Sequence, residues 1–237
     1  MVYALVLAGG IGRRMGDVNK PKQYMNIGDK PIIVHTIEKF CLYEEFEKVI
    51  VLCPKEWVEH TKSLIKKYIA TSDNVVVIEG GSMRNETIMK GISFIENEGN
   101  LNDETIIVTH DAVRPFVTYR MIKENIEVTK EFGACNTVIP ATDTIVCSVD
   151  QKTIAQIPDR AELYQGQTPQ SFQALKLKEL YESLDDDEKE VLTDACKIFI
   201  LKGQEVRLVN GETFNIKITY PYDIAVAESL LRGIAQC

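Results

Sequence analysis

VYALVLAGGIGRRMGDVNKPKQ, the stretch from Val2 to Gln23, joins an apolar, strand-like run to a glycine-rich turn that ends in Pro-Lys-Gln. Glycines let the backbone turn sharply and bring its N–H groups against a ligand, and such groups form a nest for anions. A polyphosphate fits this nest. Arg14 and Lys22 would supply the fixed positive charge that a triphosphate needs while a bond at its α-phosphorus breaks.

The glycines alone are weaker evidence than the whole segment. Gly10, Gly12 and Gly16 are spaced G-x-G-x-x-x-G, one residue longer than the dinucleotide-binding fingerprint, and the P-loop string is absent. A tight strand-to-helix turn with solvated arginines explains the glycines equally well. The adjacent arginines and the Pro21–Gln23 turn favour the polyphosphate interpretation.

Length and composition predict one α/β domain over residues 1–237. The chain is 45% hydrophobic and 26% charged, and it has no apolar run of about 20 residues, so no membrane helix is expected. No positively charged region precedes the apolar start, which argues against a signal peptide and makes the cytoplasm the expected location. A net charge of −8 argues against nucleic-acid binding through a basic surface.

The six cysteines are scattered along the chain without a C-x-x-C pair or a histidine spaced to complete a zinc site. We interpret them as small buried apolar residues rather than as a disulfide framework.

Apolar runs alternate with segments of helical period in the first half of the chain. Strands are predicted at Val2–Leu7, Lys48–Cys53, Val75–Ile78 and Thr105–Thr109, and helices at Pro31–Leu42, Glu56–Ile69, Arg84–Glu96 and Thr118–Lys130. This alternation indicates a Rossmann-like, mainly parallel sheet with helices on both faces. Ligands of such sheets bind beyond the carboxyl ends of the strands.

The pattern changes after Ala134. Strands are predicted at Thr137–Ala141, Thr144–Val149 and Thr153–Ile157, which together suggest a projecting β-arm at about 137–160. Because an isolated hairpin is only marginally stable, we expect the arm to pack on another subunit. Helices at Leu175–Ser183 and Asp186–Phe199, a strand at Glu205–Val209 and a helix at Tyr222–Ile234 complete the prediction.

Several polar residues follow the predicted strands. Asp111 ends a buried strand and is a candidate Mg²⁺ ligand, although a helix cap or an ion pair with Arg114 explains a lone aspartate there about as well. The Gly80–Thr87 loop could approach a base and a sugar through its backbone, or it could be an ordinary helix start capped by Ser82. Arg160 and Lys217 lie in turn or apolar settings, where each alone is more typical of a surface charge.

The motifs LAGGIGRRMG, PKQY, GGSMRNET, HDAVRPF, ATDTI, IPDRAELYQGQTPQSF, TDAC and NIKIT occur in this order over nearly the whole chain. In this they resemble the cytidylyltransferases that use polyol phosphates. The resemblance covers the D-ribitol-5-phosphate cytidylyltransferases and the related 2-C-methyl-D-erythritol 4-phosphate cytidylyltransferases of isoprenoid synthesis.

The resemblance implies a nucleotide-diphosphosugar-transferase-like fold, a homodimer formed through the β-arm, CTP as a substrate and a divalent metal, Mg²⁺. It assigns transition-state stabilisation to Arg14 and Lys22, and positioning of the acceptor phosphate to Arg160 and Lys217. Thr144 and Arg160 would come from the partner's arm, and Asp111 would bind the metal. The residues expected to line CTP are Leu7, Ala8, Gly9, Gly10, Gly81, Ser82, Met83, Arg84, Asn85, Glu86, Thr87 and Ala112.

The expected reaction transfers the cytidylyl group of CTP to D-ribitol 5-phosphate, with 2-C-methyl-D-erythritol 4-phosphate as the alternative acceptor. The Tyr164–Gln170 and Thr193–Lys197 motifs resemble the ribitol group, because Ala195 and Cys196 depart from the isoprenoid pattern. The product could serve a cell-wall polymer such as teichoic acid, a capsule or isoprenoid synthesis. Two other classes compete with this interpretation. A nucleotide-binding regulatory module without turnover is disfavoured because the candidate catalytic residues are all present, namely Arg14, Lys22, Asp111, Arg160 and Lys217. An NAD-dependent dehydrogenase is disfavoured because the glycine spacing is one residue too long.

Overall fold

A computed structural model describes residues 1–10, 13–15, 20–70 and 73–234. Gly12 and Gly16 of the glycine-rich turn therefore lie outside the described residues. The strands are β1 (Val2–Leu7), β2 (Asn26–Ile27), β3 (Lys30–Pro31), β4 (Phe46–Cys53), β5 (Val75–Glu79), β6 (Ile106–Asp111), β7 (Ala134–Pro140), β8 (Tyr164–Gln173) and β9 (Arg207–Asn210). The helices are α1 (Ile32–Cys41), α2 (Val58–Tyr68), α3 (Arg84–Asn97), α4 (Tyr119–Phe132), α5 (Ala174–Glu182), α6 (Asp186–Glu190), α7 (Cys196–Leu201) and α8 (Pro221–Ile234).

Seven strands form one mostly parallel sheet in the order β5-β4-β1-β6-β8-β7-β9. The β5–β4, β4–β1, β1–β6 and β7–β9 pairs are parallel, whereas β8 runs antiparallel to both of its neighbours. The α/β class and the mainly parallel sheet are thus confirmed. Because β5, β4, β1 and β6 run in the same direction, their carboxyl ends meet at one edge.

Alternation along β1 places apolar side chains on both faces of the sheet. Ala4 and Val6 join a buried cluster with α1 and α4, while Tyr3 and Leu5 join a second cluster with α3 and α5. A strand buried on both faces therefore forms the middle of the sheet, and its end at Leu7 has a fixed position.

The four strands and four helices predicted in the first half are all present, with ends that differ by no more than a few residues. The second half differs more. The sequence does not predict β8, because Gly166 and Pro169 are unfavourable in a strand and most of the other residues are polar. Gln167, Thr168, Gln170 and Ser171 are nevertheless buried, since β8 pairs on both sides.

The arm contains less regular structure than its pattern suggested. The predicted strand at Thr137–Ala141 is the end of β7, but Thr144–Val149 and Thr153–Ile157 are not strands. They are joined by an isolated bridge between Cys147 and Gln156. The physical reason is exposure: this part of the arm has no sheet neighbour to extend its pairing.

The helix predicted at Asp186–Phe199 is two helices, α6 and α7. The Asp194 carboxylate accepts a hydrogen bond from the Lys197 amide, at 3.1 Å, and so satisfies an N–H at the start of a new helix.

Five cysteines lie in the described part of the chain and none forms a disulfide there. Cys53, Cys135 and Cys196 are buried as predicted, whereas Cys41 is only partly buried and Cys147 is exposed on the arm, which corrects the prediction for those two residues. Cys237 lies outside the described residues. None of the described helices has the length and apolar character needed to cross a membrane.

Candidate active site

A cavity of about 430 Å³ opens at the sheet edge where the carboxyl ends of β1 and β6 meet. The Gly80–Thr87 loop after β5 closes one side of it. The cavity is lined by Leu7, Ala8, Gly9, Gly10, Arg14, Lys22, Gln23, Gly81, Ser82, Met83, Arg84, Thr87, Asp111, Ala112, Val113, Lys217 and Thr219. Most residues that the resemblance assigned to CTP and catalysis therefore lie together.

Lys22 occupies a short 3₁₀ turn that is fastened on both sides. The neighbouring Gln23 donates its amide to the Ala8 carbonyl at 2.6 Å, which ties the turn to the end of β1. Tyr24 stacks on Trp57 with ring centroids 4.5 Å apart, and its hydroxyl lies 2.8 Å from that of Thr61. These contacts fix the backbone from which Lys22 enters the cavity.

The Lys22 ammonium is in an unfavourable environment for a charge. The residue is only 7% exposed. Burial, and then repulsion from Lys217 and Arg14, lower the pKa of Lys22 from 10.5 to about 8. Arg14 is exposed, and its guanidinium carbon lies 5.7 Å from the centre of the Tyr220 ring. An anion in the cavity would stabilise both cations.

The Gly80–Thr87 loop is held by its own side chains. Thr87 accepts the Gly81 amide at 3.0 Å, and Glu86 accepts the Ser82 amide at 3.0 Å. A Cβ at Gly81 would lie 2.5 Å from that of Glu86, so no side chain fits there. Asn85 and Glu86, predicted to line CTP, do not line the cavity; Glu86 instead shapes the loop.

Asp111 is the anionic centre of the cavity and is only 6% exposed. One carboxylate oxygen pairs with Arg84, and the other lies 2.8 Å from the Lys217 ammonium and 3.8 Å from Arg114 Nε. Burial raises the pKa of Asp111, but Arg84, Lys217 and Arg114 together hold that pKa well below its usual range. The carboxylate is therefore ionised and surrounded by cations.

Arg114 connects the two segments that carry Asp111 and Lys217. Its guanidinium donates to the Asn215 carbonyl at 2.7 Å, two residues before Lys217. The Asn215 amide in turn donates to the Thr168 carbonyl at 2.9 Å. The HDAVRPF and NIKIT motifs, which are distant in the sequence, are thus hydrogen-bonded to each other beside the cavity.

The donor set at Asp111 is compatible with Mg²⁺ that arrives with a nucleotide. Such an ion usually takes one or two carboxylates and completes its shell with phosphate oxygens and water. No cluster of three or more His, Cys, Asp or Glu side chains suited to a metal occurs within the described ranges. Asp223, which follows Lys217 closely in the chain, uses one oxygen to accept the Thr219 and Tyr220 amides at the start of α8.

Thr144 and Arg160 do not line this cavity. Both are exposed on the arm, where Arg160 donates to the Thr142 carbonyl at 3.0 Å. Their predicted role in the site consequently requires a second chain.

Sequence reasoning missed the roles of Gln23 and Gln170. For Arg114 it predicted the ion pair with Asp111 as an alternative, but not the contact with Asn215. Gln23 and Arg114 were inside quoted motifs, next to Lys22 and Asp111, but their partners are distant in the chain. Gln170 lies within 3.4 Å of Arg84, and nothing in a single sequence predicts that pairing.

A family model described as "IspD: 2-C-methyl-D-erythritol 4-phosphate cytidylyltransferase" matches residues 2–233. A structure of 4-diphosphocytidyl-2C-methyl-D-erythritol synthase from Anaerococcus prevotii DSM 20548 is 25% identical, with a TM-score of 0.79, over 98% of this chain and 96% of that one. A second structure of an enzyme with that name is 25% identical, with a TM-score of 0.80, over 97% of this chain and 98% of that one. The Francisella tularensis enzyme, at 24% identity and a TM-score of 0.79 over 96% and 98%, shares the fold.

Proposed function

Because the chain belongs to the IspD family of cytidylyltransferases, we propose that its cavity binds CTP and a polyol phosphate and joins them with release of pyrophosphate. The observation that carries this proposal is the convergence of Arg14, Lys22 and Lys217 on one cavity at the carboxyl edge of the sheet. Such a concentration of positive charge in an acidic chain suits a polyphosphate ligand.

The chemistry needs alignment and charge neutralisation more than proton transfer. A phosphate monoester is already an anionic nucleophile, so its oxygen can attack the α-phosphorus of CTP directly while the bond to pyrophosphate breaks. Arg14 and Lys22 would stabilise the charge that develops on the α-phosphate and on the leaving pyrophosphate. Lys217 would hold the incoming phosphate in line.

We propose that Asp111 holds Mg²⁺ when the nucleotide is bound. The ion would supply additional neutralisation of the phosphate charge. Pyrophosphate release should fall to background when EDTA is added and return with excess Mg²⁺. Undiminished release in EDTA would contradict the metal assignment.

D-ribitol 5-phosphate is the acceptor that we propose, on the strength of the Tyr164–Gln170 and Thr193–Lys197 motifs. The family model and the named relatives support 2-C-methyl-D-erythritol 4-phosphate better, and this is the second candidate. Ala195 and Cys196, which depart from the isoprenoid pattern, are buried and do not line the cavity. Any influence on the acceptor must therefore be indirect.

The deciding experiment measures pyrophosphate release from CTP with each acceptor in turn. A higher kcat/KM with ribitol 5-phosphate supports CDP-ribitol as the product, a precursor suited to a teichoic-acid-type cell-wall polymer. A higher value with the methylerythritol phosphate rejects ribitol. CTP binding without release from any polyol phosphate would instead indicate a regulatory module.

We further propose that the arm forms a homodimer that places Arg160 and Thr144 in the partner's cavity. Val149 and Ile154 on the arm are 93% and 62% exposed, and burying these side chains against a second chain would be favourable, which supports the proposal. The proposal predicts that Arg160→Ala and Lys22→Ala proteins, each inactive alone, regain activity when mixed and allowed to exchange subunits.

The expected recovery follows from the symmetry of a dimer. When equal amounts of the two variants exchange subunits at random, about half of the dimers contain one chain of each. One of the two cavities in such a mixed dimer has both Lys22 and Arg160 intact, so about a quarter of wild-type activity should return. If Arg160 served its own cavity, no intact site could form and the mixture would stay inactive.

A further inference from the structure

Arg84 is the first residue of α3 and follows the Gly80–Met83 turn, but its guanidinium contacts residues of β6 and β8. One terminal nitrogen pairs with Asp111, and the other lies 3.4 Å from the Gln170 side-chain oxygen on β8. Both partners are at least nine-tenths buried. The guanidinium is thus held from two sides near Lys217, which pairs with the other oxygen of the same carboxylate.

The orientation of the Gln170 amide is determined by its other neighbours. Its nitrogen lies 3.3 Å from an Asp194 carboxylate oxygen and 3.2 Å from the Asn136 side-chain oxygen. A carboxylate can only accept hydrogen bonds, so the NH₂ group must face Asp194. The Gln170 oxygen must then face Arg84. Asp194 consequently fixes, through Gln170, the direction in which Arg84 presents its N–H groups.

Arg84 and Lys217 retain donors for a ligand. A guanidinium has five N–H donors and an ammonium three. The contacts of Arg84 with Asp111 and Gln170, and of Lys217 with Asp111, use only some of them. Both side chains line the cavity and are partly exposed to it, at 25% and 42%. Arg84 and Lys217 each contact a different oxygen of the Asp111 carboxylate, so the two cations are close enough together to contact two oxygens of a single phosphate.

We propose that Arg84 and Lys217 together bind the phosphate of the acceptor, and that Gln170 and Asp194 are positioning residues for Arg84. The inference rests on the proposed function and makes it more specific, since it moves Arg84 from the nucleotide to the acceptor. It also explains how the Thr193–Lys197 motif could affect the cavity. Asp194 of that motif contacts Gln170, which contacts Arg84, whereas Ala195 and Cys196 do not line the cavity.

The test measures, for each variant, the dissociation constant for CTP without acceptor and the KM for the better of the two polyol phosphates. Arg84→Lys keeps the charge but loses the planar group that reaches both Asp111 and Gln170. Gln170→Met removes the amide and leaves Arg84 itself unchanged. Gln173→Met, a partly exposed position at the end of the same strand and outside the acceptor motif, is the matched control.

Asp194→Asn is the most specific variant. Its remaining oxygen can still accept the Lys197 amide, so the start of α7 is kept. Its NH₂ group would then meet that of Gln170, and the Gln170 amide would turn its own NH₂ toward Arg84. The variant should therefore resemble Gln170→Met in kinetics while its thermal midpoint stays close to that of the wild type.

The expected result is a rise of about tenfold or more in the acceptor KM for all three variants, with the CTP dissociation constant within about twofold of the wild type. A weakened CTP affinity with an unchanged acceptor KM would overturn the inference and return Arg84 to the nucleotide. Folded variants with wild-type values of both constants would also overturn it. Wild-type protein that turns over neither polyol phosphate would instead refute the proposed function.

Discussion

Replacement of Lys22 by methionine should make the protein more stable and much less active. The side chains are similar in length, and methionine adapts well to a buried position. Lys22 is 7% exposed, and burial with two neighbouring cations lowers its pKa from 10.5 to about 8. The difference corresponds to about 3 kcal/mol spent on keeping the ammonium charged in the folded chain at neutral pH. Methionine removes this cost.

The pH dependence of the stability difference identifies its cause. The folded pKa of Lys22 lies below the unfolded value, so between about pH 8 and 10.5 the unfolded chain binds the additional proton. The free energy of unfolding of the wild-type protein therefore rises with pH in that window, because the unfolded chain binds more protons than the folded one. The advantage of Lys22→Met should be up to about 3 kcal/mol below pH 8 and should vanish near pH 10.5.

Two assays test the substitution. Urea unfolding at pH 7 and pH 10 measures the stability difference, and pyrophosphate release measures turnover, which should fall by a factor of about 10² to 10³ when a transition-state cation is lost. Lys20→Met, an exposed position in the same segment, is the control and should change neither quantity appreciably. A variant that is less stable at pH 7, or equally active, would refute the reasoning.

Three other results are expected. Because free enzyme needs a protonated Lys22, kcat/KM for CTP should fall above about pH 8, whereas kcat should persist to higher pH once bound phosphate favours the ammonium; a flat kcat/KM profile to pH 10 would contradict this. Asp111→Asn should lower the unfolding free energy by about 3 kcal/mol or more, because Arg84, Arg114 and Lys217 lose their shared carboxylate; unchanged urea unfolding would show that the ion pairs contribute little. Gly91→Ala should cost about 1–3 kcal/mol, since its Cβ would lie 2.8 Å from Leu5 Cδ1, whereas Gly233→Ala on α8 meets open space and should be neutral or slightly stabilising.

The first half of the fold could be predicted because each element carries its own period. α1 and α3 repeat apolar residues every three to four positions, whereas β1 and residues 49–53 of β4 are continuous apolar runs. β8 carries no such signal. Its side chains Gln167, Thr168 and Gln170 are buried only because two strands pair with it, which is a property of the assembled sheet.

The cavity could be anticipated in outline because the loops after parallel strands meet at one edge. That rule brings Leu7, the Gly80–Thr87 loop and Asp111 together without any knowledge of their side-chain contacts. The rule does not predict the direction of the Arg84 side chain. The arginine was assigned to CTP with the rest of its loop, whereas its partners are 27 and 86 positions away in the chain.

The charge distribution explains why stability and proposed function oppose each other in this cavity. The chain carries a net charge of −8, yet Arg14, Lys22, Arg84 and Lys217 face one cavity in which Asp111 is the buried carboxylate. Asp111 offsets part of the repulsion. The pKa of Lys22 is nevertheless lowered, first by burial of the ammonium and then by repulsion from Lys217 and Arg14. A bound triphosphate, as proposed, would neutralise these cations. Part of the free-energy cost of holding them together would then be recovered on binding, which would increase the affinity for that ligand.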